Sequence, residues 1–333
     1  MKVRVTGLGS WPGDDLAPVV RMTLGELPDL PYLPELPARG VGSQMIGRTG
    51  AILTDLGMDL QPNGWRLTDA PGIDHRRAQA RFREDLDILE EQAQGYAGPL
   101  KLAFAGPWTM AAMIERSRGD RVLADHGARR ELGQALGEGI GRTLAEVRRR
   151  LPEVEPVLQL DEPLLPSVGA GKVPTASGFS RFRSVDVPEL SGALSGILAV
   201  ADSAYPGVRS ALHCCAPGID PDLVFGAGIG ALSVPAEHLT GALLDRIGPA
   251  VESGRGLWLG VAPTDVPDVT TRPDHLAAAA LRLLQPLELG AAWSDRLVLT
   301  PACGLAGWST RPALQLLRHL GEAADIVGEQ LER

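Results

Sequence analysis

Three residues of this chain have the types and positions that bind a soft divalent metal. His213 and Cys215 stand two apart in Ala211-Leu212-His213-Cys214-Cys215, and Cys303 follows the apolar run Leu297-Val298-Leu299. A neutral imidazole with two thiolates is a familiar zinc set. In a strand, alternate residues share a face, so His213 and Cys215 point one way and Cys214 the other. A plainer reading also stands on residue types alone: cysteine is a small apolar residue that packs readily into cores.

Two further segments bring polar groups to the ends of apolar runs. Val157-Leu158-Gln159-Leu160 leads into Asp161, Glu162 and Pro163. A carboxylate there suits a substrate ammonium, although Asp and Glu also commonly cap the helix that follows a strand. Thr6-Gly7-Leu8-Gly9-Ser10-Trp11-Pro12 follows the first apolar run. Its glycines let a ligand approach the backbone and its amides suit an anion, or the segment is a simple turn.

The elements that must position these groups alternate regularly. Apolar runs predict strands at Val3–Thr6, Lys101–Ala105, Val157–Leu160, Ser210–His213, Ala231–Val234, Leu257–Val261 and Leu297–Thr300, with a weaker eighth near Val41–Met45. Apolar residues at three- and four-residue spacing predict helices at Arg76–Tyr96, Arg129–Arg150, Val187–Ala204, Leu239–Ser253, Pro273–Leu289 and Arg311–Gln330. Repeated strand–helix order implies a parallel sheet, and eight such units close a barrel. The expected fold is an α/β (β/α)8 TIM barrel, one domain over residues 1–333. An open doubly wound sheet is the alternative, but no Gly-x-Gly-x-x-Gly links a strand to a helix. In a barrel the C-terminal strand ends form the active face, which is where the polar residues fall. Leu27–Pro37 (LPDLPYLPELP) is too proline-rich for a regular helix and reads as a surface excursion. Leu165–Arg181 reads as a long loop.

Composition narrows the function classes. Of 333 residues, 44% are apolar and 22% charged, which suits a large core and excludes a disordered chain. A net charge of −9 argues against nucleic-acid binding, and Arg148-Arg149-Arg150 reads as a solvated helix end. No run of ~18 apolar residues marks a membrane span. The N-terminus reads as a strand rather than a signal peptide, so the expected location is cytoplasmic. Three cysteines in a reducing compartment suit metal binding or burial better than a disulfide.

Taken in order, the motifs resemble the C-terminal catalytic barrel of the cobalamin-independent methionine synthase family. They are the Gly-Ser-Trp-Pro turn, Gly106-Pro107-Trp108-Thr109, Gln159-Leu160-Asp161-Glu162-Pro163, His213-Cys214-Cys215, Gly260-Val261 and Pro301-Ala302-Cys303-Gly304. The resemblance implies zinc held by His213, Cys215, Cys303 and a glutamate, with homocysteine as the incoming thiol. Counting from Cys215 gives Glu237 as the fourth ligand, whereas aligning the apolar strand puts Pro235 there. The resemblance also implies that Ser10 meets the substrate carboxylate and Asp161 its amine. A family histidine that donates a proton to the leaving folate falls on Asp265. The His-Gly-Glu segment that supplies a second carboxylate has no clear match in Leu56–Gly72, where Asp69 is the substitute considered.

The implied reaction is transfer of a methyl group to homocysteine, giving methionine. The chain has no room for the family's N-terminal barrel, so a corrinoid as well as methyltetrahydrofolate is open as donor. Transfer to another thiol, as in coenzyme M methyltransferases, remains open, as does a barrel that binds metal or amino acid without turnover. Uroporphyrinogen decarboxylase has a related barrel but no zinc, and the metal-binding residues speak against it.

Overall fold

The computed structural model describes residues 2–267, 271–287 and 293–332. Its strands are β1 (Arg4–Val5), β2 (Gly57–Gln61), β3 (Gly64–Thr68), β4 (Gly98–Ala105), β5 (Val154–Asp161), β6 (Arg209–His213), β7 (Ala231–Pro235), β8 (Gly256–Ala262) and β9 (Leu297–Pro301). Seven form one curled parallel sheet in the order β1-β9-β8-β7-β6-β5-β4, while β2 and β3 pair separately as an antiparallel hairpin. Each of the seven expected strands is present. Val41–Met45 is not an eighth: a 3-10 turn occupies Val41–Ser43, and Met45 opens the helix Met45–Gly50.

The space between edge strands β1 and β4 is bridged instead by the proline-rich segment. Lys101 N donates to Pro31 O (2.8 Å) and Leu33 N to Lys101 O (3.0 Å) on the β4 side. Glu35 N donates to Gly9 O (3.0 Å) and accepts at its carbonyl from Trp11 N (2.8 Å) on the other. This pairing draws its segment donors from Leu33 and Glu35, so the prolines are tolerated there. Nor is the segment a surface excursion: Leu30, Tyr32, Leu33 and Leu36 are all buried. Their apolar burial outweighs the missing amide donors.

Strand alternation sorts the core into two clusters. Leu158, Leu160, Leu212, Leu232, Leu257, Leu259, Leu297 and Leu299 join the large cluster under the helices. Their neighbours Val157, Ala211, Ala231, Trp258 and Val298 form a second cluster on the opposite, concave face, joined by Leu30. Sheet faces alternate with period two, so every second residue of these strands points into the concave interior.

The helices follow their sequence signals. Val187–Ala204 lies where its periodicity predicts, buries Leu190, Leu194, Ile197 and Ala201, and is capped by Asp186 accepting from Glu189 N (3.0 Å). His126–Arg150 is capped by Asp125 accepting from Ala128 N (2.9 Å). At its far end Arg150 is ion-paired to Asp87 (2.6 Å) and Glu90 (2.8 Å) of helix Ile73–Gln92, so this part of the basic run is a tie rather than a solvated end. Gly241–Glu252 and Thr310–Leu331 match their expected spans within a few residues. Helix Pro273–Leu284 is shorter than expected, and the last two positions of that expected span lie outside the described residues. The region Leu165–Arg181 opens with helix Leu165–Gly169 before turning back at the Pro174–Arg181 bridge. No helix among the described residues is long and apolar enough to cross a membrane.

Candidate metal and amino-acid site

The C-terminal ends of the parallel strands bring the three candidate ligands together. Register places His213 opposite Asp161 on β5 and Ser233 on β7. One ligand atom from each of His213, Cys215 and Cys303 lies within 4.8 Å of the other two. His213 Nδ1 meets Ser233 Oγ at 3.1 Å, while His213 Nε2 is buried with no hydrogen-bond partner among the described residues. A buried nitrogen without a partner costs free energy, so the arrangement fits a ring oriented through Nδ1 to offer Nε2 to a cation. Cys303 lies on a turn pinned between two elements: Ala302 N donates to Ala262 O (2.7 Å) and Leu305 N to Ser10 O (2.9 Å). Gly304 packs so tightly that a Cβ there would lie 2.0 Å from Ser10 Oγ, which sets Ser10 directly against the Cys303 turn.

Electrostatics within the cluster favour a thiolate. The neighbouring Cys215 thiol and then the His213 ring pull the Cys303 thiol down to about 4. The same contact with Cys303, followed by burial, pushes the Cys215 thiol up. One low-pKa sulfur beside a second thiol and an imidazole is a set that a divalent cation completes by displacing the remaining proton. Cys214 takes no part. It belongs to the outer core, its Sγ lies 3.5 Å from Ala216 O, and burial pushes its thiol up to about 12.

The other wall is built of carboxylates held by a buried chain of polar groups. Lys101 is fully buried and donates to Gly7 O and to Gln159 Oε1. Gln159 Nε2 donates in turn to Leu8 O (2.9 Å) and Asp161 Oδ1 (2.7 Å). An ammonium has no acceptor, so Lys101 fixes the Gln159 amide with its NH2 toward Asp161. Burial, then the charge of Glu35, raises the Asp161 carboxyl well above its usual value, and the charge of Cys303 adds to this. Burial likewise raises Glu35, opposed by the nearby Arg48, whose Nη1 lies 3.5 Å from Glu35 Oε1. Arg48 itself is buried, donates to Ala103 O (2.9 Å) and stands over the Phe82 and Phe104 rings.

Adjacent Glu162 has a different part. Its carboxylate accepts from Trp108 N and Thr109 N (2.8 Å each) and Thr109 Oγ1 (2.7 Å). It thereby caps the start of helix Pro107–Met113, which precedes it in the chain. Gly106 is required there, because a Cβ would lie 2.3 Å from Glu162 Oε1.

Five of the residues singled out by sequence therefore fall around one place: Ser10, Asp161, His213, Cys215 and Cys303. Three do not. Glu237 stands on the 3-10 turn Ala236–His238 with its side chain 71% exposed, outside the ligand cluster. The strand-end position in line with Ala231 and Ser233 is Pro235, which is buried and has no donor atom to offer a metal. Asp265 is exposed on the loop after β8, and Asp69 is exposed just beyond β3. Sequence reasoning missed Glu35, Lys101, Gln159 and Ser233. Gln159 and Ser233 carry the inward alternation signal of β5 and β7; Glu35 lies in a segment too rich in proline to read as sheet.

No family model matches this chain, and no curated protein matches it in sequence. Solved structures do share its fold. A B12-independent methionine synthase from Shewanella sp. W3-18-1, in complex with selenomethionine, superposes with a TM-score of 0.64 at 15% identity, over 99% of each chain. A putative vitamin-B12 independent methionine synthase from Listeria monocytogenes gives 0.60 at 14% identity, over 94% of this chain and 85% of that one. The endo-1,4-beta-mannanase from Rhizomucor miehei gives 0.51 at 12% identity, over 98% and 95%. At such identities the likeness shows the fold alone, an α/β fold with a curled parallel sheet that methionine synthases share with a mannanase.

Proposed function

We propose that this chain is a zinc-dependent methyltransferase that transfers a methyl group to the thiol of a small amino acid, with homocysteine as the acceptor. The observation that carries this reading is the convergence of His213, Cys215 and Cys303 within 4.8 Å, at the strand ends that also present Asp161. In this reading the sheet is a (β/α)8 barrel whose eighth place is taken by the proline-rich backbone. His213 Nε2 and the two sulfurs hold the metal, and Glu237 is not part of the set. Zinc bound there would favour the thiolate form of an incoming thiol, the nucleophilic form.

The chain's own residues account for the rest. Ser233 fixes the His213 ring through Nδ1. Asp161 and Glu35 form an anionic pair for the substrate ammonium, and Glu35 fills the part that the Leu56–Gly72 region does not. Burial chiefly raises both carboxyl groups, and an arriving ammonium supplies the positive charge that offsets it, so they bind it in their ionised form. Ser10, held against the Cys303 turn, lies beside the place where the substrate carboxylate would rest. The methyl donor in this reading is a corrinoid or methyltetrahydrofolate. Two carboxylates beside the sulfur cluster favour an amino-acid thiol over a thiol bearing an anionic sulfonate, such as coenzyme M.

The test is elemental analysis combined with X-ray absorption, with and without homocysteine. One zinc with two sulfur ligands, rising to three on adding homocysteine, is the expected result. Absence of stoichiometric zinc, or an unchanged sulfur count, would refute the reading.

A further inference from the structure

At the opposite pole of the sheet, four arginines stand at the N-terminal ends of strands. Arg4 opens β1 and Arg209 opens β6, while Arg255 and Arg296 immediately precede β8 and β9. All four line one cavity of about 460 Å³ that reaches up beneath the strands. Its floor includes Leu30, Val157, Trp258 and Val298, the underside of the inner apolar cluster. The cavity therefore has a charged rim and an apolar base.

The rim has more positive charge than the protein neutralises. Arg209 is paired with Glu155 at 3.2 Å, the one ion pair made by these four arginines among the described residues. Arg4 donates to the backbone carbonyl of Asp295 (3.0 Å), Arg255 to those of Gly228 (3.3 Å) and Ile229 (3.1 Å), and Arg296 lies over the Trp293 ring. Asp295 is the one carboxylate that lines the cavity. Against four guanidinium groups, Asp295 and Glu155 leave a surplus of two positive charges, in a chain whose net charge is −9. The crowding is felt locally: burial and then the charge of Arg4 lower the Arg209 pKa. Carbonyl contacts orient two of the guanidinium forks, those of Arg4 and Arg255, without cancelling their charge. Planar forks of this kind match the oxygens of a phosphate group two at a time.

We propose that this basal cavity binds a small organic phosphate, with the dianionic phosphate at the arginine rim and its organic body on the floor around Trp258. The volume exceeds what one phosphate fills and falls in the range of small-ligand pockets. The site is separate from the metal cluster, which lies at the C-terminal strand ends, and it does not depend on the reading of that cluster. A ligand here would tie together the starts of β1, β6, β8 and β9.

The experiment is calorimetric titration at low ionic strength with inorganic phosphate and with phenyl phosphate, on the wild-type chain, Arg209→Gln/Arg296→Gln and Arg142→Gln. Both substituted side chains reach solvent and their loss spares the carbonyl contacts of Arg4 and Arg255, so folding should persist; circular dichroism checks it. Arg142, paired with Glu138 on a helix that does not line the cavity, controls for the loss of a surface arginine. Saturable binding of both probes is expected, with phenyl phosphate about tenfold tighter through burial of its ring. The double variant should bind both at least about tenfold more weakly and Arg142→Gln should match wild type. Absence of saturable binding, or an equal loss in Arg142→Gln, overturns the site. Equal affinity for the two probes overturns the place assigned to the organic body.

Discussion

The two walls of the candidate site hold their functional groups in different ways. On the thiol wall, His213 and Cys303 sit within two residues of the ends of β6 and β9, and each is steadied by a few local contacts. On the carboxylate wall, Asp161 depends on Gln159, Gln159 on Lys101, and Glu35 on Arg48, every one of them buried. The first wall is set by strand register, so its members should fail one at a time. The second is a network of desolvated charge, so its members should fail together.

The largest expected effect is on the thiol wall. Cys303→Ser should weaken zinc binding by more than about a hundredfold, since even groups behind metal ligands are worth ~10–100-fold. Cys214→Ser, one residue from a ligand but on the outer face, should leave zinc affinity unchanged. Chelator competition measures both, and zinc loss in the Cys214 variant would overturn the alternation that separates the two cysteines. Next comes Ser233→Ala, which frees the His213 ring without touching the metal; it should cost ~10–100-fold in zinc affinity by the same measurement. An unchanged affinity would show that the ring is oriented by packing alone.

On the carboxylate wall, Asp161→Asn should weaken homocysteine binding roughly ten- to a hundredfold, the worth of a charge-assisted hydrogen bond, while zinc is retained. Lys101→Met should produce a smaller loss through the freed Gln159 amide. The double variant should bind little worse than Asp161→Asn, because both changes act on one carboxylate. Losses that multiply would mean that Lys101 acts on the site by another route. Glu237→Gln should change neither zinc nor substrate binding.

This contrast also governs how much could be read from sequence. The thiol wall was legible because strand ends concentrate function and period-two alternation assigns faces, so His213, Cys215 and Cys303 could be picked out residue by residue, and so could Asp161 at the strand end facing them. The parallel sheet was legible for the same reason, through runs such as Leu257–Val261. The rest of the carboxylate wall was not, because its support comes from residues whose types argue against such a place. Lysine is rarely buried, so nothing in its type marks Lys101, the first residue of an expected strand, as part of a site. Leu27–Pro37 reads as a non-sheet excursion, yet Glu35 pairs at its backbone with Gly9 and Trp11. Helix Leu16–Glu26 was missed because it has no acidic first turn and is short, with a proline in its first turn and a glycine in its last. Glu237 was a counting inference, and counting fails wherever the loop after a strand changes length; the strand-based placement at Pro235 agrees with the register.

The pH dependence of the metal-free protein should separate the walls by sign. Asp161 and Glu35 have raised carboxyl pKa values, chiefly through burial, so the folded state holds their protons more tightly than the unfolded chain does. Their contribution to stability is present below the ordinary values of 3.8 and 4.5 and is lost as pH rises through the folded values. Cys303 is lowered to about 4 from 9.0, so its contribution is full above 9.0 and is lost as pH falls toward 4. Between these limits the two walls push the melting temperature in opposite directions. Relative to wild type with chelator, Asp161→Asn should make stability rise more steeply with pH, and Cys303→Ser should make it rise less or fall. Scanning calorimetry across the acid-to-neutral range reads both slopes. Parallel shifts without a change in slope would mean that neither group titrates differently on folding, and the electrostatic distinction between the walls would go, leaving only the geometric one.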